Sequence, residues 1–153
     1  MKICPKADKI IGIVDNSISG IGEQKQFMSN EKSYPELQFE MLNASQYTYG
    51  ELCQKISEIK DDTILLFLIC GEDINGNHYS NKQAFSIISE YARVPVFRMM
   101  ESGVGQGLLG GYIVSHEKSG EIAANIALQI LNGADPKSIP VVTDSPNYFY
   151  YDY

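Results

Sequence analysis

The chain has 153 residues, of which 44% are hydrophobic and 20% are charged, and 19 acidic against 12 basic side chains give a formal net charge of −7. This length and composition are those of one globular domain with a core, or of one lobe plus part of another, and they argue against global disorder. Because the net charge is negative and no run of Lys or Arg occurs, a phosphate backbone would be repelled, and we expect no nucleic-acid partner.

The amino-terminal region predicts a strand, a helix and a second strand. Residues 9–14 are a continuous apolar run of strand length, and the polar residues 15–20 follow as a turn. A helix is predicted over 22–31, although its apolar face is weak. Residues 37–42 then predict the second strand.

The middle of the chain carries the clearest local signals. Thr48 and Glu51 form a capping box at the start of a helix, because the hydroxyl and the carboxylate each serve the other residue's backbone amide. Ser80 and Gln83 form a second such box. Between them, residues 63–70 are apolar without alternation, which predicts a strand covered on both faces, as in a parallel sheet.

Short strands and a strongly apolar helix are predicted in the last third. Residues 94–97 and 111–114 predict the fourth and fifth strands, with a glycine-rich loop between them. Residues 121–131 have the apolar spacing of a helix, and 139–142 predict a sixth strand. A dense aromatic stretch at 148–153 is interpreted as a segment that packs across the domain.

Alternation of strands and helices predicts an α/β fold. We expect a three-layer sandwich with a mostly parallel sheet and right-handed crossovers, in the manner of Rossmann or flavodoxin-like domains. Ligands bind such sheets beyond the carboxyl ends of the strands. Four loops are predicted to lie at that edge: 15–20, 43–46, 71–79 and 98–107.

Two motifs are rejected on spacing. Gly105 to Gly110 matches G-x-G-x-x-G, but a strand follows the glycines where a dinucleotide fingerprint needs a helix, so we interpret them as a flexible loop or a close backbone approach. The segment that begins at Asp73 hints at a calcium loop. Its sixth and twelfth positions hold His78 and Ala84 instead of Gly and Glu, which excludes an EF-hand.

The sequence offers no recognisable catalytic or metal-binding pattern. Cys4, Cys53 and Cys70 show no zinc spacing, and the last two lie in apolar patterns as buried thiols. His78 and His116 are interpreted as surface residues. Neither a nucleophile elbow nor a P-loop nor a metalloprotease motif occurs. We therefore expect a protein that is not an enzyme and that has no metal and no cofactor.

The turn after the first strand is the best candidate for a binding site. Asp15, Asn16 and Ser17 offer a carboxylate, an amide and a hydroxyl beside a helix N-terminus, which suits a polar or zwitterionic ligand. The alternative is that Ser17 or Ser19 only caps the helix. Both interpretations can hold together.

Several segments together resemble a known family. They are the Gly-Gly-Tyr strand, the Ala-rich helix, the Asn-Gly-Ala-Asp-Pro segment that ends at Pro136, the Ile-Pro-Val-Val run, Asp15–Asn16–Ser17, Val94–Pro95–Val96, Ser145–Pro146–Asn147 and Asp152–Tyr153. In combination they resemble the C-terminal signature of ABC-transporter substrate-binding proteins, in particular the group related to tryptophan/tyrosine uptake proteins. That group also occurs as the extracellular sensor region of bacterial signalling proteins such as histidine kinases.

The resemblance implies a type I periplasmic-binding fold, with two α/β lobes, a hinge of three crossings and ligand in the cleft. Residues 1–102 would be the core of the second lobe, and 103–153 would supply a hinge crossing, a strand and helix of the first lobe, and a return segment. Most of the first lobe would then lie outside this chain, which would start inside a longer protein. We expect exposed apolar surface around Ile113 and the helix over 122–131, covered by dimerisation or rearrangement.

The resemblance also implies a function. The full protein would bind a small organic solute without catalysis, an amino acid being one candidate, and would pass it to a membrane permease or signal through a fused domain. It would be extracytoplasmic and membrane-attached. Besides Asp15, Asn16 and Ser17, the weaker ligand candidates are four residues that follow later strands: Glu72, Asp73, Arg98 and Glu101. If Arg98 faces the cleft, it would pair with a ligand carboxylate.

Two alternatives stay open. One is a small flavodoxin-like enzyme or flavin protein, for which residues 17–22 are a loose candidate for a phosphate loop. The other is a dimerisation or transmission module that binds no ligand.

Overall fold

A computed structural model describes residues 4–143 and 146–152. Ser145 and Tyr153, which belong to the family-like segments, lie outside the described residues. The strands are β1 (Lys9–Val14), β2 (Gln38–Asn43), β3 (Thr63–Phe67), β4 (Val96–Phe97), β5 (Gly110–Val114) and β6 (Asn147–Tyr151). The helices are α1 (Ile18–Ser29), α2 (Tyr49–Ser57), α3 (Asn81–Tyr91) and α4 (His116–Leu131).

The strands form one sheet in the order β2-β1-β3-β4-β5-β6. The first five are parallel, and β6 pairs antiparallel with β5. The predicted α/β fold with a mostly parallel sheet is thus confirmed. The chain leaves β1 toward β2 on one side and leaves β3 toward β4 on the other, so the strand order reverses between β1 and β3. Ligand crevices of such sheets open at this switch point, beyond the carboxyl ends.

The sheet is buried on two faces. On one face, α2 and α3 bring Leu52, Ile56 and Ile88 into a core that includes Leu65 of β3. On the other face, α1 packs a second cluster through Phe27. This two-sided cover explains why β1 and β3 are apolar without alternation.

Side-chain caps set the helix starts. Both predicted capping boxes are present, at Thr48 and at Ser80. Ser17 caps α1 by accepting from Gly20 N at 3.0 Å, so α1 begins four residues before the predicted start. Likewise α4 begins at His116 because Ser115 caps it. Both early turns lack apolar periodicity, which is why the sequence pattern missed them.

The predicted sixth strand at 139–142 is wrong. Val141 and Val142 are 86% and 51% exposed and belong to no strand, whereas the last strand is β6. Pro140 lacks the N–H that a sheet ladder uses, while the aromatic run in β6 has high strand propensity. Residues 148–151 of the terminal aromatic stretch therefore belong to an edge strand of the sheet.

The expected exposed apolar surface is confirmed for α4 and wrong for Ile113. No residue of α4 is buried, and Leu128 and Leu131 are 56% and 81% exposed. Ile113 is fully buried, because β5 lies inside the sheet between β4 and β6. The division of the chain at residues 102 and 103 stays a prediction, and β5 and β6 extend the sheet that β1 begins. Within the described residues, no helix has the length and apolarity needed to cross a membrane.

Candidate functional site

The candidate site lies at the carboxyl edge of the sheet, where the turn after β1 meets the loops after β2, β3 and β4. The parallel register places these four loops side by side. They are the four loops that the sequence predicts at the ligand-binding edge, 15–20, 43–46, 71–79 and 98–107.

The buried side chain of Asp15 makes hydrogen bonds to two loops at the switch point. The side chain is 1% exposed, and its Oδ1 accepts from the backbone amide and the hydroxyl of Ser17 at 3.0 and 2.5 Å. Its Oδ2 accepts from Gly71 N at 2.5 Å, which ties the end of β1 to the loop after β3. Gly20 packs so closely here that a Cβ on it would lie 2.3 Å from the Asp15 carbonyl oxygen. The Asp15 carboxylate therefore joins the two loops.

A row of polar side chains lies beside this joint. Asn16 is exposed, its backbone amide donates to Ser45 Oγ at 2.9 Å, and its Oδ1 accepts from Asn43 Nδ2 at 2.8 Å. Ser45 Oγ lies 3.4 Å from both the carbonyl and the Oε1 of Glu72. We call Asn16, Asn43, Ser45 and Glu72 the polar row; it joins the ends of β2, β1 and β3.

Ser17 has one of its two predicted roles, that of the helix cap, and its role in ligand binding stays a prediction. It caps α1 and donates to Asp15, and it is half-buried. The Ser17 hydroxyl is thus already hydrogen-bonded within the chain. The exposed side-chain amide of the neighbouring Asn16 is more accessible to a ligand.

The side chain of Asp73 stabilises the loop after β3 by hydrogen bonds within that loop. Its side chain is 4% exposed; Oδ1 accepts from the backbone amides of Asn75 and Asn77 at 2.9 Å, and Oδ2 accepts from Asn77 Nδ2 and Tyr79 Oη. These bonds, first of all that from the Asn77 side chain, lower the pKa of Asp73, while burial opposes them. The hydrogen bond to Asp73 and, above all, burial raise the pKa of Tyr79.

Arg98 follows β4 directly and is 6% exposed. Its guanidinium carbon lies 4.9 and 5.0 Å from the ring centroids of Phe67 and Phe85, and Nη2 donates to Ser102 Oγ at 2.9 Å. Nε and Nη1 are buried and have no hydrogen-bond acceptor among the described residues. Burial lowers the pKa of Arg98, and the nearby charge of Glu23 opposes that effect.

Glu101 lies apart from the polar row. It accepts a short hydrogen bond from the Tyr148 hydroxyl, which links the loop after β4 to the start of β6. This bond is the main cause that raises the pKa of Tyr148 to about 12. Glu101 thus anchors the edge strand.

The cysteines and histidines do not join the site. Cys53 and Cys70 are buried free thiols, as predicted, and burial raises the pKa of Cys70 to about 12. His78 and His116 are exposed. In residues 4–143 and 146–152, no three His, Cys, Asp or Glu side chains are grouped as metal ligands would be.

The glycine-rich loop makes close backbone approaches. A Cβ at Gly110 would lie 2.0 Å from the carbonyl oxygen of Tyr150, and one at Gly107 would lie 2.3 Å from Cβ of Ser89. Both glycines have positive φ and precede or begin β5, which agrees with the rejection of a dinucleotide motif.

A separate depression lies at the opposite, amino edge. It measures about 270 Å³ and is lined by the starts of β1 and β3 and the end of α2, including Lys9, Lys55 and Thr63. Parallel α/β sheets place their ligands at the other edge, so the carboxyl edge is the stronger candidate.

The structure thus brings together Asp15, Asn16, Ser17 and Glu72. Asp73 follows Glu72 on the same loop after β3, and Arg98 and Glu101 lie on the loop after β4. Asn43 and Ser45 were not singled out, although their loop was. The available signal was their position directly after a strand neighbouring β1.

Two solved structures have a similar fold. The ligand-free, open structure of CD0873, a substrate-binding protein with adhesive properties from Clostridium difficile, superposes with a TM-score of 0.60 at 22% identity over 94% of this chain. A conserved domain protein from Vibrio cholerae O1 biovar El Tor superposes with a TM-score of 0.60 at 16% identity over 96% of this chain. The chain spans about half of each, 48% of their length.

No protein-family model matches the sequence, and no curated protein matches it significantly. At these identities the similarity concerns architecture. The chain therefore has an α/β fold similar to that of about half of each of these two structures.

Proposed function

We propose that this chain is a ligand-binding lobe of a non-catalytic protein that binds a small polar organic solute. The observation that carries this proposal is the polar row at the switch point, where side chains from three neighbouring loops are joined by hydrogen bonds. Small-molecule sites of α/β sheets combine this position with a few well-placed polar groups.

The polar row suits an uncharged or zwitterionic solute. Asn16 is exposed, and its Oδ1 already accepts from Asn43. The side-chain nitrogen Nδ2 of Asn16 is left as a donor. Glu72 is half-buried and offers a carboxylate to an ammonium or hydroxyl group. The buried carboxylate of Asp15 joins the turn after β1 to the loop after β3 and thereby positions Asn16.

The groups at this edge favour binding over catalysis. The carboxylates of Asp15 and Asp73 accept several hydrogen bonds each from within the chain. A general base needs a lone pair that faces substrate, whereas Asp73 accepts four hydrogen bonds and Asp15 three from within the chain, and both side chains are buried. The Cys70 thiol is protonated at neutral pH, since its pKa is raised to about 12, and a thiol is a poor nucleophile.

Similarity in fold to a substrate-binding protein supports the same function. In a two-lobed protein, solute would bind between this edge and the facing lobe, and closure would follow if the closed state binds solute better than the open state. We further propose that the complete protein acts outside the cytoplasm, attached to the membrane, and passes its solute to a permease or its signal to a fused domain.

Thermal unfolding of the complete protein with a panel of amino acids and related solutes tests this proposal. A melting temperature that rises with the concentration of one solute is expected, because a ligand selective for the native state stabilises it. Asn16→Ala should weaken that shift. Asn30→Ala, the same change at the far end of α1, should leave it unchanged.

A well-folded protein that no solute stabilises would contradict solute binding and favour a dimerisation or transmission module. A purified protein that carries flavin absorbance would favour the flavodoxin-like alternative. Conversion of the stabilising solute into another compound would contradict the non-catalytic part of the proposal.

A further inference from the structure

The buried guanidinium of Arg98 lacks hydrogen-bond acceptors for most of its N–H donors. The side chain is 6% exposed, yet Nε and Nη1, which together carry three N–H donors, have no acceptor among the described residues. The rings of Phe67 and Phe85 attract the cation, and Ser102 accepts one hydrogen bond. These contacts leave a buried guanidinium only partly satisfied, which is unfavourable for folding.

The chain does not supply the missing acceptor. Glu23 of α1 lines the same small cavity as Arg98, but no ion pair joins the two within 4.0 Å in the described part of the chain. The Ser17 cap and the close approach of Gly20 to Asp15 fix the first turn of α1. Glu23 therefore raises the local negative charge without bonding to the guanidinium.

A small cavity lies beside Arg98, which directly follows β4 at the carboxyl edge of the sheet. The cavity beside it measures about 20 Å³, enough for about one water-sized group, and Met99 and Met100 form part of its wall. These two side chains are 43% and 38% exposed. Met is flexible and adapts to irregular contacts, so the wall can move aside for a larger group.

We propose that Arg98 binds the carboxylate of the solute, an inference that rests on the proposed function. A carboxylate supplies two acceptor oxygens and the opposite charge, which makes charge-assisted hydrogen bonds to a guanidinium strong. β1 and β4 are two strand spacings apart, or about 10 Å. A small carboxylic acid with a second polar group, such as an amino acid, would place its carboxylate at Arg98 and its other polar group toward the polar row.

The test compares each acid with its own amide. Calorimetric titration of the complete protein uses L-amino acids and simple monocarboxylic acids, each beside the corresponding amide. An acid is expected to bind at least about tenfold more tightly than its amide, since the amide lacks the charge. Arg98→Met should abolish that preference while it keeps the apolar volume between the rings.

Two further variants make the result specific. Arg98→Lys keeps the charge but not the guanidinium donors, and it should recover only part of the preference for the acid. Glu23→Gln should strengthen binding of the acid by a few-fold, and not that of the amide, because a repelling charge is removed.

The outcomes separate this inference from the function on which it rests. Equal affinity of the wild-type protein for an acid and its amide would overturn the role of Arg98 and leave solute binding intact. The same holds for an undiminished preference in Arg98→Met. Absence of binding by both members of every pair would overturn the proposed function and this inference together.

Discussion

Two glycines in α1 provide a sharp test of how the Asp15 joint is built. Gly20 is buried against Asp15, whereas at Gly22, two residues later in the same helix, no atom beyond the chain neighbours and the helix's own backbone lies within 4 Å of the position that a side-chain methyl group would take. Alanine at either site should gain helix propensity, worth about 0.5–1 kcal/mol. The two substitutions differ only in what the new methyl group meets.

At Gly20 the methyl group meets backbone. Its Cβ would lie 2.3 Å from the carbonyl oxygen of Asp15 and 2.4 Å from Oδ1, where ordinary contact begins at 3.4 Å, so the helix start or the Asp15 turn must move by about 1 Å. Overpacking of this kind costs about 1–3 kcal/mol. Loss of one hydrogen bond of Asp15 adds about 1–3 kcal/mol.

We therefore expect Gly20→Ala to destabilise the protein by about 1–5 kcal/mol after the propensity gain, and Gly22→Ala to stabilise it by about 0.5–1 kcal/mol. For a chain of this length, about 2–4 °C of melting temperature corresponds to each kcal/mol. Urea and thermal unfolding of both variants measure the difference. Equal stability of the two would refute the close approach of α1 to Asp15 and, with it, the positioning of Asn16.

Three other predictions concern the scaffold of the site. Thr48→Ala should lower the free energy of unfolding by about 1 kcal/mol in urea, because α2 loses its cap; an unchanged midpoint would contradict the capping box. Asp73 has a lowered folded pKa, so its ionised form stabilises the protein above its ordinary pKa of 3.8 and that contribution is lost as the pH falls below it. The stability deficit of Asp73→Asn should therefore be constant from neutral pH to about pH 5 and should shrink below about pH 4, whereas a deficit independent of pH would show that the charge is unimportant. Iodoacetamide should label Cys4 in the native protein and spare Cys53 and Cys70, since those two are buried; labelling of Cys70 before unfolding would refute its protected, protonated state.

Much of the fold follows from local signals in the sequence. The capping boxes at Thr48 and Ser80 start α2 and α3 where predicted, because the hydrogen bonds involved lie within four residues. The apolar run of β1 requires cover on both faces wherever it packs. Such features do not depend on distant parts of the chain.

Features that depend on distant contacts could not be predicted in this way. The run at 139–142 has strand-like composition, yet the edge position beside β5 goes to β6, whose partner is more than thirty residues away. The start of α1 was missed because its first turn packs through Gly20, a residue with no side chain to show periodicity.

The same distinction applies to the site. The alternation of strands and helices predicts Asp15, Asn16 and Ser17 at the ligand edge, since the carboxyl ends of parallel strands meet there. That Asp15 points inward and Asn16 lies at the surface depends on the loop after β3, which supplies Gly71 N. Arg residues are rarely buried, and the burial of Arg98 arises from rings on β3 and α3 that only the tertiary fold brings together.

The most direct test of solute binding at the carboxyl edge is amide-resolved NMR of the complete protein during titration with the solute that stabilises it. We expect saturable shifts at the backbone amides of Asn16, Ser45 and Gly71. Amides around the amino-edge depression, such as those of Lys9 and Thr63, should not shift. Shifts confined to the amino edge would contradict the assignment of the ligand site.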